Sequence, residues 1–233
     1  MIVDSMTLTE VAKTIRQDLR TLSGRIENVA RKFRSDILSK KNRMYPFMKF
    51  YDISSEQKIR YFVGMKAEKR SDWKNPSMMI SGTYILKDGQ YGFLMCPSQH
   101  FQATSETLLI MTPHFLTRYR ERHHDNVGLT TDEMIRRFVR TNHMFYMTEL
   151  DKDHSLAMEK YTKDGVNQLA VVTPEGYCIA EKETYDCIRL MTFLSHEMLS
   201  EKQKTRFQQD KDYGNNRLKI LELAGLIDNE IKL

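Results

Sequence analysis

Cysteine is scarce in this chain of 233 residues, with Cys96, Cys178 and Cys187 its only examples. An odd count without a Cys-x-x-Cys pair excludes a disulfide framework and a cysteine-based structural zinc site. A reducing, cytoplasmic setting is the simplest expectation. Long apolar runs are missing too. None approaches the ~18 residues that span a bilayer, so no membrane partner is expected. The N-terminal stretch MIVDSMTLTEV has no basic segment followed by apolar residues, so no signal peptide is expected. The chain also lacks a Gly-rich phosphate loop, a Gly-x-Ser-x-Gly elbow and a His-Glu-x-x-His pair, the marks of three common enzyme classes. His123-His124-Asp125 is the nearest approach to a metal motif. Adjacent residues on a helix point about 100° apart and do not readily chelate one ion, so neither a metal nor another cofactor is expected.

What is present fits a folded domain. Apolar residues make up 40% and charged residues 29%, too apolar a balance for general disorder. Fifteen scattered methionines read as core gap-fillers. The net charge of +5 is unevenly placed. Between Thr9 and Arg43, ten Lys or Arg face four Asp or Glu, a balance of +6 that leaves the remainder near −1. A basic arm on a nearly neutral body suits an acidic partner such as nucleic acid, or simply solvates a long helix.

Thr7-Leu-Thr-Glu10 has the capping-box pattern of a helix start. Apolar residues follow at Val11, Ile15, Leu19, Leu22, Ile26, Val29, Phe33 and Ile37, a heptad seam. One helix is predicted over about 8–40, within an arm spanning 1–45. Its seam packs either on the chain's own body or on a second copy as a coiled-coil homodimer, and spacing alone leaves both open. The body spans 46–233. A short helix is predicted over Ser55–Arg70. A hairpin is predicted over Ser77–Cys96, turning at Asp88-Gly89, with a strand over Thr107–Met111.

Thr112-Pro113 then opens a helix to about His123, and Thr130 opens another to about Asn142. Strands are predicted over Phe145–Leu150 and Ser155–Tyr161, with a turn at Lys163-Asp-Gly165. A hairpin over Gln168–Ala180 turns at Pro174-Glu-Gly176, and an extended segment covers Asp186–Phe193. Two helices, over Ser195–Asp212 and Asn216–Ile227, close the chain. Strands grouped in hairpins, with helices before and after, indicate an α+β fold with an antiparallel sheet.

The densest chemistry lies in Thr112–Asp125, TPHFLTRYRERHHD, with three arginines and three histidines. On a helix, His114, Arg118 and Arg122 share one edge, while Phe115, Leu116, Tyr119 and His123 fall on a neighbouring face able to bury. Glu121 borders the edge. Metal-free RNA cleavage needs a proton-transfer group that titrates near neutrality, which histidine supplies. It also needs fixed cations for the developing phosphoryl charge, and arginine's planar fork suits that role. The candidate catalytic residues on this helix are therefore His114, Arg118 and Arg122. Arg118, Arg120 and Arg122, with Arg136, Arg137 and Arg140 on the next helix, form a candidate nucleic-acid surface. The alternative is a solvated edge of Arg–Glu pairs, each contributing only ~0–1 kcal/mol.

Pro113-His-Phe-Leu-Thr-Arg-Tyr-Arg-Glu-Arg122, behind a predicted strand, resembles the His-Ala-x-x-Arg-x-x-x-Arg pattern of toxin-type ribonucleases. These form the barnase–EndoU–colicin–RelE superfamily, and the pattern opens their core helix. Phe115 stands at the pattern's small residue. Leu169-Ala-Val-Val-Thr-Pro-Glu-Gly176 is similar to a later strand and turn of that family. The resemblance covers about 105–193. It implies helices followed by a small antiparallel sheet, metal-independent cleavage of RNA, and Thr173 joining His114, Arg118 and Arg122 at the site. An inhibitor protein is a further partner to be considered. Two other classes stay open: a non-catalytic domain that binds nucleic acid or protein, and an interaction protein assembled through its N-terminal helix.

Overall fold

The computed structural model describes residues 2–3, 5–39, 44–85, 91–94, 96–97, 108–123, 127–142, 146–149, 168–184 and 187–223. The fold is α+β, and its helices and strands form two compact units, Met1–Leu109 and Ile110–Leu233. The first unit holds the helices predicted for the 1–45 arm together with the strands that follow them. The N-terminal helices belong with the strands that follow them, because their apolar seam is buried there.

In the first unit, α1 (Leu8–Thr21) starts at Thr7, whose hydroxyl and backbone N–H form a capping box with Glu10. The predicted single helix is in fact two, because α1 ends at Leu22 and α2 covers Ser23–Ser39. The Leu22 N–H bonds to Leu19 O, one residue tighter than the α-helical pattern, and regular bonding resumes from Ile26 to Leu22. Ser23-Gly24, both weak helix formers, lie at this junction. The seam survives it. Val11, Ile15, Leu19, Leu22, Ile26, Val29, Phe33 and Ile37 are all buried within the single chain. That favours packing on the chain's own strands over a coiled-coil pair.

The helix expected over Ser55–Arg70 is a strand. β1 (Phe47–Ser54) and β2 (Arg60–Ala67) pair antiparallel from Phe47↔Ala67 to Ser54↔Arg60. Ser55 closes the turn between them, its N–H bonding to Ile59 O and its Oγ accepting from Ile59 N–H. Tyr61, Phe62, Val63 and Met65 are buried, as befits a strand covered on both faces. Their continuous apolar run carries no period-2 alternation, which is why a helix was equally legible there. A single 3-10 turn, Arg70–Trp73, follows. β3 (Ser77–Ile85) pairs with β2, with β4 (Tyr91–Leu94) and with β5 (Cys96–Pro97). The predicted Asp88-Gly89 turn lies outside the described residues.

The second unit begins as β6 (Leu108–Met111) crosses the boundary and leads into α3 (Pro113–Glu121) and α4 (Thr131–Thr141). β7 (Tyr146–Glu149), β8 (Gln168–Thr173), β9 (Gly176–Thr184) and β10 (Cys187–Ser195) form an antiparallel meander, and β6 lies beside β10. The strand expected over Ser155–Tyr161 and the turn at Lys163-Asp-Gly165 lie outside the described residues. Instead of two closing helices there is a 3-10 turn, His196–Met198, and one helix, α5 (Glu201–Leu223), which continues through Asp212–Asn216. Residues 224–227 are outside the described set. Helices cover both sheet faces. Ala170, Val172 and Tyr177 pack with Leu199 and with Phe207 of α5. Phe193, on the opposite face, meets Tyr119 of α3. Among the described residues, no helix is long and apolar enough to cross a membrane.

Candidate functional site

Local signals place α3. Thr112 is its N-cap and accepts from Phe115 N–H at 3.0 Å, with Pro113 at the first position, where a missing N–H costs nothing. The same hydroxyl donates to Leu190 O at 3.0 Å, so the helix start is fixed to β10. Phe115, Leu116 and Tyr119 turn inward. α4 starts from a Thr130–Glu133 capping box and buries Met134, Ile135, Phe138 and Val139. Phe138 meets both Phe115 and Tyr119 edge-on, at 5.6 and 5.1 Å between ring centroids. These ring contacts hold the two helices together, with Arg120 and Arg140 exposed and Arg118, Arg122, Arg136 and Arg137 only partly so.

The residues singled out from sequence have different surroundings. His114 is exposed in the first turn of α3. Arg118 is partly exposed and donates to Glu121 at 2.8 Å, an exposed i,i+3 pair. Arg120 is exposed. Arg122 is the C-cap of α3, and its buried Nη1 has no hydrogen-bond partner among the described residues. Arg136 and Arg137 are partly buried on α4, and Arg140 is exposed. Thr173 is buried, and its hydroxyl donates to Gly176 O at 2.9 Å, closing the β8–β9 hairpin. Among the described residues no hydrogen bond joins it to His114.

A group that converges lies at the tip of that hairpin. Pro174 and Glu175 form the turn, and Gly176 begins β9 with φ +151°. A Cβ on Gly176 would stand 2.1 Å from Leu194 O, so only glycine fits between β9 and β10 here. The Glu175 O accepts from His196 N–H, tying the tip to the end of β10. Its carboxylate points under the two helices. Oε2 accepts from the Tyr119 phenol at 2.8 Å and from Asn142 Nδ2 at 2.7 Å, while Glu175 N–H reaches Asn142 Oδ1 at 3.4 Å. His123 Nε2 stands 3.8 Å from Oε2, and Arg137 Nη2 stands 3.8 Å from Oε1. The side chains of Glu175, His123 and Arg137 are only 12%, 17% and 17% exposed, so the Glu175 and Arg137 charges interact with little screening by water.

The neighbours respond to this carboxylate. Burial and then the Glu175 charge push the Tyr119 phenol well above the ordinary tyrosine range, with Arg137 opposing. Burial, with a smaller contribution from Glu175, raises the Cys178 thiol in the same way. Rings complete the enclosure: His123 stands 4.9 Å from Tyr119 and 5.3 Å from Phe193, centroid to centroid. A carboxylate, an imidazole and a guanidinium at one point form a set able to accept a proton, donate one and hold an oxyanion.

Two members of this set, His123 and Arg137, were partly legible, Arg137 as part of the candidate nucleic-acid surface. His123 follows Tyr119 by four residues, on the buriable side of α3. Glu175 and Asn142 carried no signal, because an acid in a Pro-Glu-Gly turn and an Asn after a helix both read as solvent-facing. Among the described residues, no three His, Cys, Asp or Glu side chains gather as metal ligands, and His124 and Asp125 lie outside that set. No protein-family model matches the sequence, and no curated protein or solved structure matches it either.

Proposed function

We propose that this protein binds RNA through the arginine-bearing faces of α3 and α4 and cleaves it without a metal, as a ribonuclease-like domain. One observation carries the reading: Glu175, His123 and Arg137 meet at a single, poorly hydrated point beneath two basic helices. In the step this set suits, the Glu175 carboxylate takes the proton of a ribose 2′-hydroxyl. That oxygen attacks the adjacent phosphorus, and the P–O5′ bond breaks. The His123 imidazolium gives its proton to the departing 5′-oxygen, leaving a 2′,3′-cyclic phosphate. Arg137 balances charge on the phosphoryl oxygens. His114, Arg118, Arg120, Arg122, Arg136 and Arg140 hold flanking phosphates. The order of α3 and α4 followed by the antiparallel strands β7 to β10 supports this reading.

The two hydrogen bonds on Glu175 Oε2 favour a second reading, in which the cluster is a clasp for the hairpin and the domain binds RNA without cutting it. Incubation with a defined RNA in EDTA separates the two. Cleavage to cyclic-phosphate ends, lost in His123→Asn while RNA affinity is kept, supports the enzyme. Binding by both proteins without any cleavage supports the clasp.

A further inference from the structure

The first unit carries a charge arrangement that residue counts understate. The helix pair α1–α2 contains four acids, and the fold withdraws two of them from its outer surface. Asp18 is buried and accepts from the Tyr61 phenol at 2.8 Å. Asp36 accepts from the Tyr51 phenol at 2.8 Å and pairs with Lys49. Both carboxylates therefore face the strands beneath. A third, Glu10, is held at the helix start by Thr7. Only Glu27 stands exposed beyond the first turn, whereas Lys13, Arg20, Arg25, Arg31 and Lys32 are all exposed.

The cations are also ordered. Lys13, Arg20 and Arg31 are spaced by seven and eleven residues, close to whole numbers of helical turns, so they form one row roughly 27 Å long, in which Glu27 is the single acid, between Arg20 and Arg31. The unbroken burial of Leu19, Leu22 and Ile26 shows that helical phase carries across the α1–α2 junction. Thr14, Gln17, Ser23, Gly24, Asn28 and Ser35 share the non-core surface and supply no acid.

We infer that the outer face of α1–α2 is a docking surface for the phosphate backbone of a nucleic acid, separate from the Glu175 cluster. A long row of single cations matches a polyanion with regularly repeated charge. A lipid surface fits less well. Interfacial helices insert an apolar face, and here that face is buried on the chain's own strands. Leu38 is the one large hydrophobic side chain described as exposed on these two helices. With no aromatic residue among its exposed cations, the face reads charge and not base identity.

The test is fluorescence anisotropy with a 20-nucleotide 2′-O-methyl RNA, which has no nucleophilic hydroxyl and so isolates binding from cleavage. The triple variant Lys13→Ala, Arg20→Ala, Arg31→Ala is expected to bind at least tenfold more weakly. Its log–log salt slope should fall by about 2, from the loss of three single-strand phosphate contacts. Glu27→Lys, which adds a cation to the same face, is expected to tighten binding. Circular dichroism and thermal melting verify folding. Unchanged affinity and slope in the folded triple variant, or no gain from Glu27→Lys, would overturn the inference. So would a triple-sensitive attachment to phosphatidylserine vesicles with oligonucleotide binding unaffected.

Discussion

The Tyr119 phenol donates to Glu175 Oε2 at 2.8 Å, joining α3 to a hairpin tip 56 residues further along the chain. It is one of two short donations to that oxygen, and the ring that makes it is completely buried. Tyr119→Phe keeps the ring packing and removes one donor from a nearly buried carboxylate. Hydrogen bonds to charged groups contribute roughly 1.5–3 kcal/mol, so urea unfolding at neutral pH should show a loss of that order. A loss under half a kilocalorie would mean that water replaces the phenol freely.

The same bond gives stability a pH dependence of known sign. The folded-state pKa of Tyr119 is raised, by burial first and Glu175 second. The native state thus holds the phenolic proton more tightly than the unfolded chain. Its contribution is fully present below the unfolded value of ~10 and is lost progressively as pH climbs above it. Wild type should lose stability more steeply than Tyr119→Phe between pH 9 and 11. Parallel profiles would contradict the assignment.

Gly176→Ala places a Cβ against Leu194 O at a φ that L-residues rarely adopt. Backbone cannot yield there without parting β9 from β10, so a cost of roughly 3 kcal/mol or more is expected. Thermal unfolding checks this, and a near-wild-type melting temperature would show that the two strands part easily at this turn.

Much of this framework was legible in the sequence, for identifiable reasons. Thr112-Pro113 and Thr130-Thr-Asp-Glu133 are local signals, since capping depends on residues within one turn, and both helices start there. The α1–α2 seam was legible because 3.5-residue periodicity survives a one-residue hitch. β2 was not, because Tyr61-Phe-Val-Gly-Met65 is buried on both faces and loses the alternation that marks a strand. The Glu175 cluster was illegible for a different reason. Asn142 and Glu175 lie 33 residues apart, and only the return of β8 and β9 beneath the helices brings them together.

Leu22 sits at the helix junction and is buried within its own chain. Leu22→Ala should cost about 2–5 kcal/mol through the cavity left behind. Measured by urea unfolding at two protein concentrations tenfold apart, the loss should be the same at both. A loss that shrinks at the higher concentration would instead place the seam between two chains.

The pH–rate profile of RNA cleavage in EDTA, for wild type and Glu175→Gln, tests the central claim most directly. A carboxylate base working with an imidazolium acid predicts a bell-shaped wild-type profile between pH 5 and 8. Replacing the carboxylate by an isosteric amide should lower the rate by about 10²–10⁴-fold, the usual contribution of a general base. No wild-type cleavage anywhere in that range, or a Glu175→Gln rate equal to wild type, would contradict it.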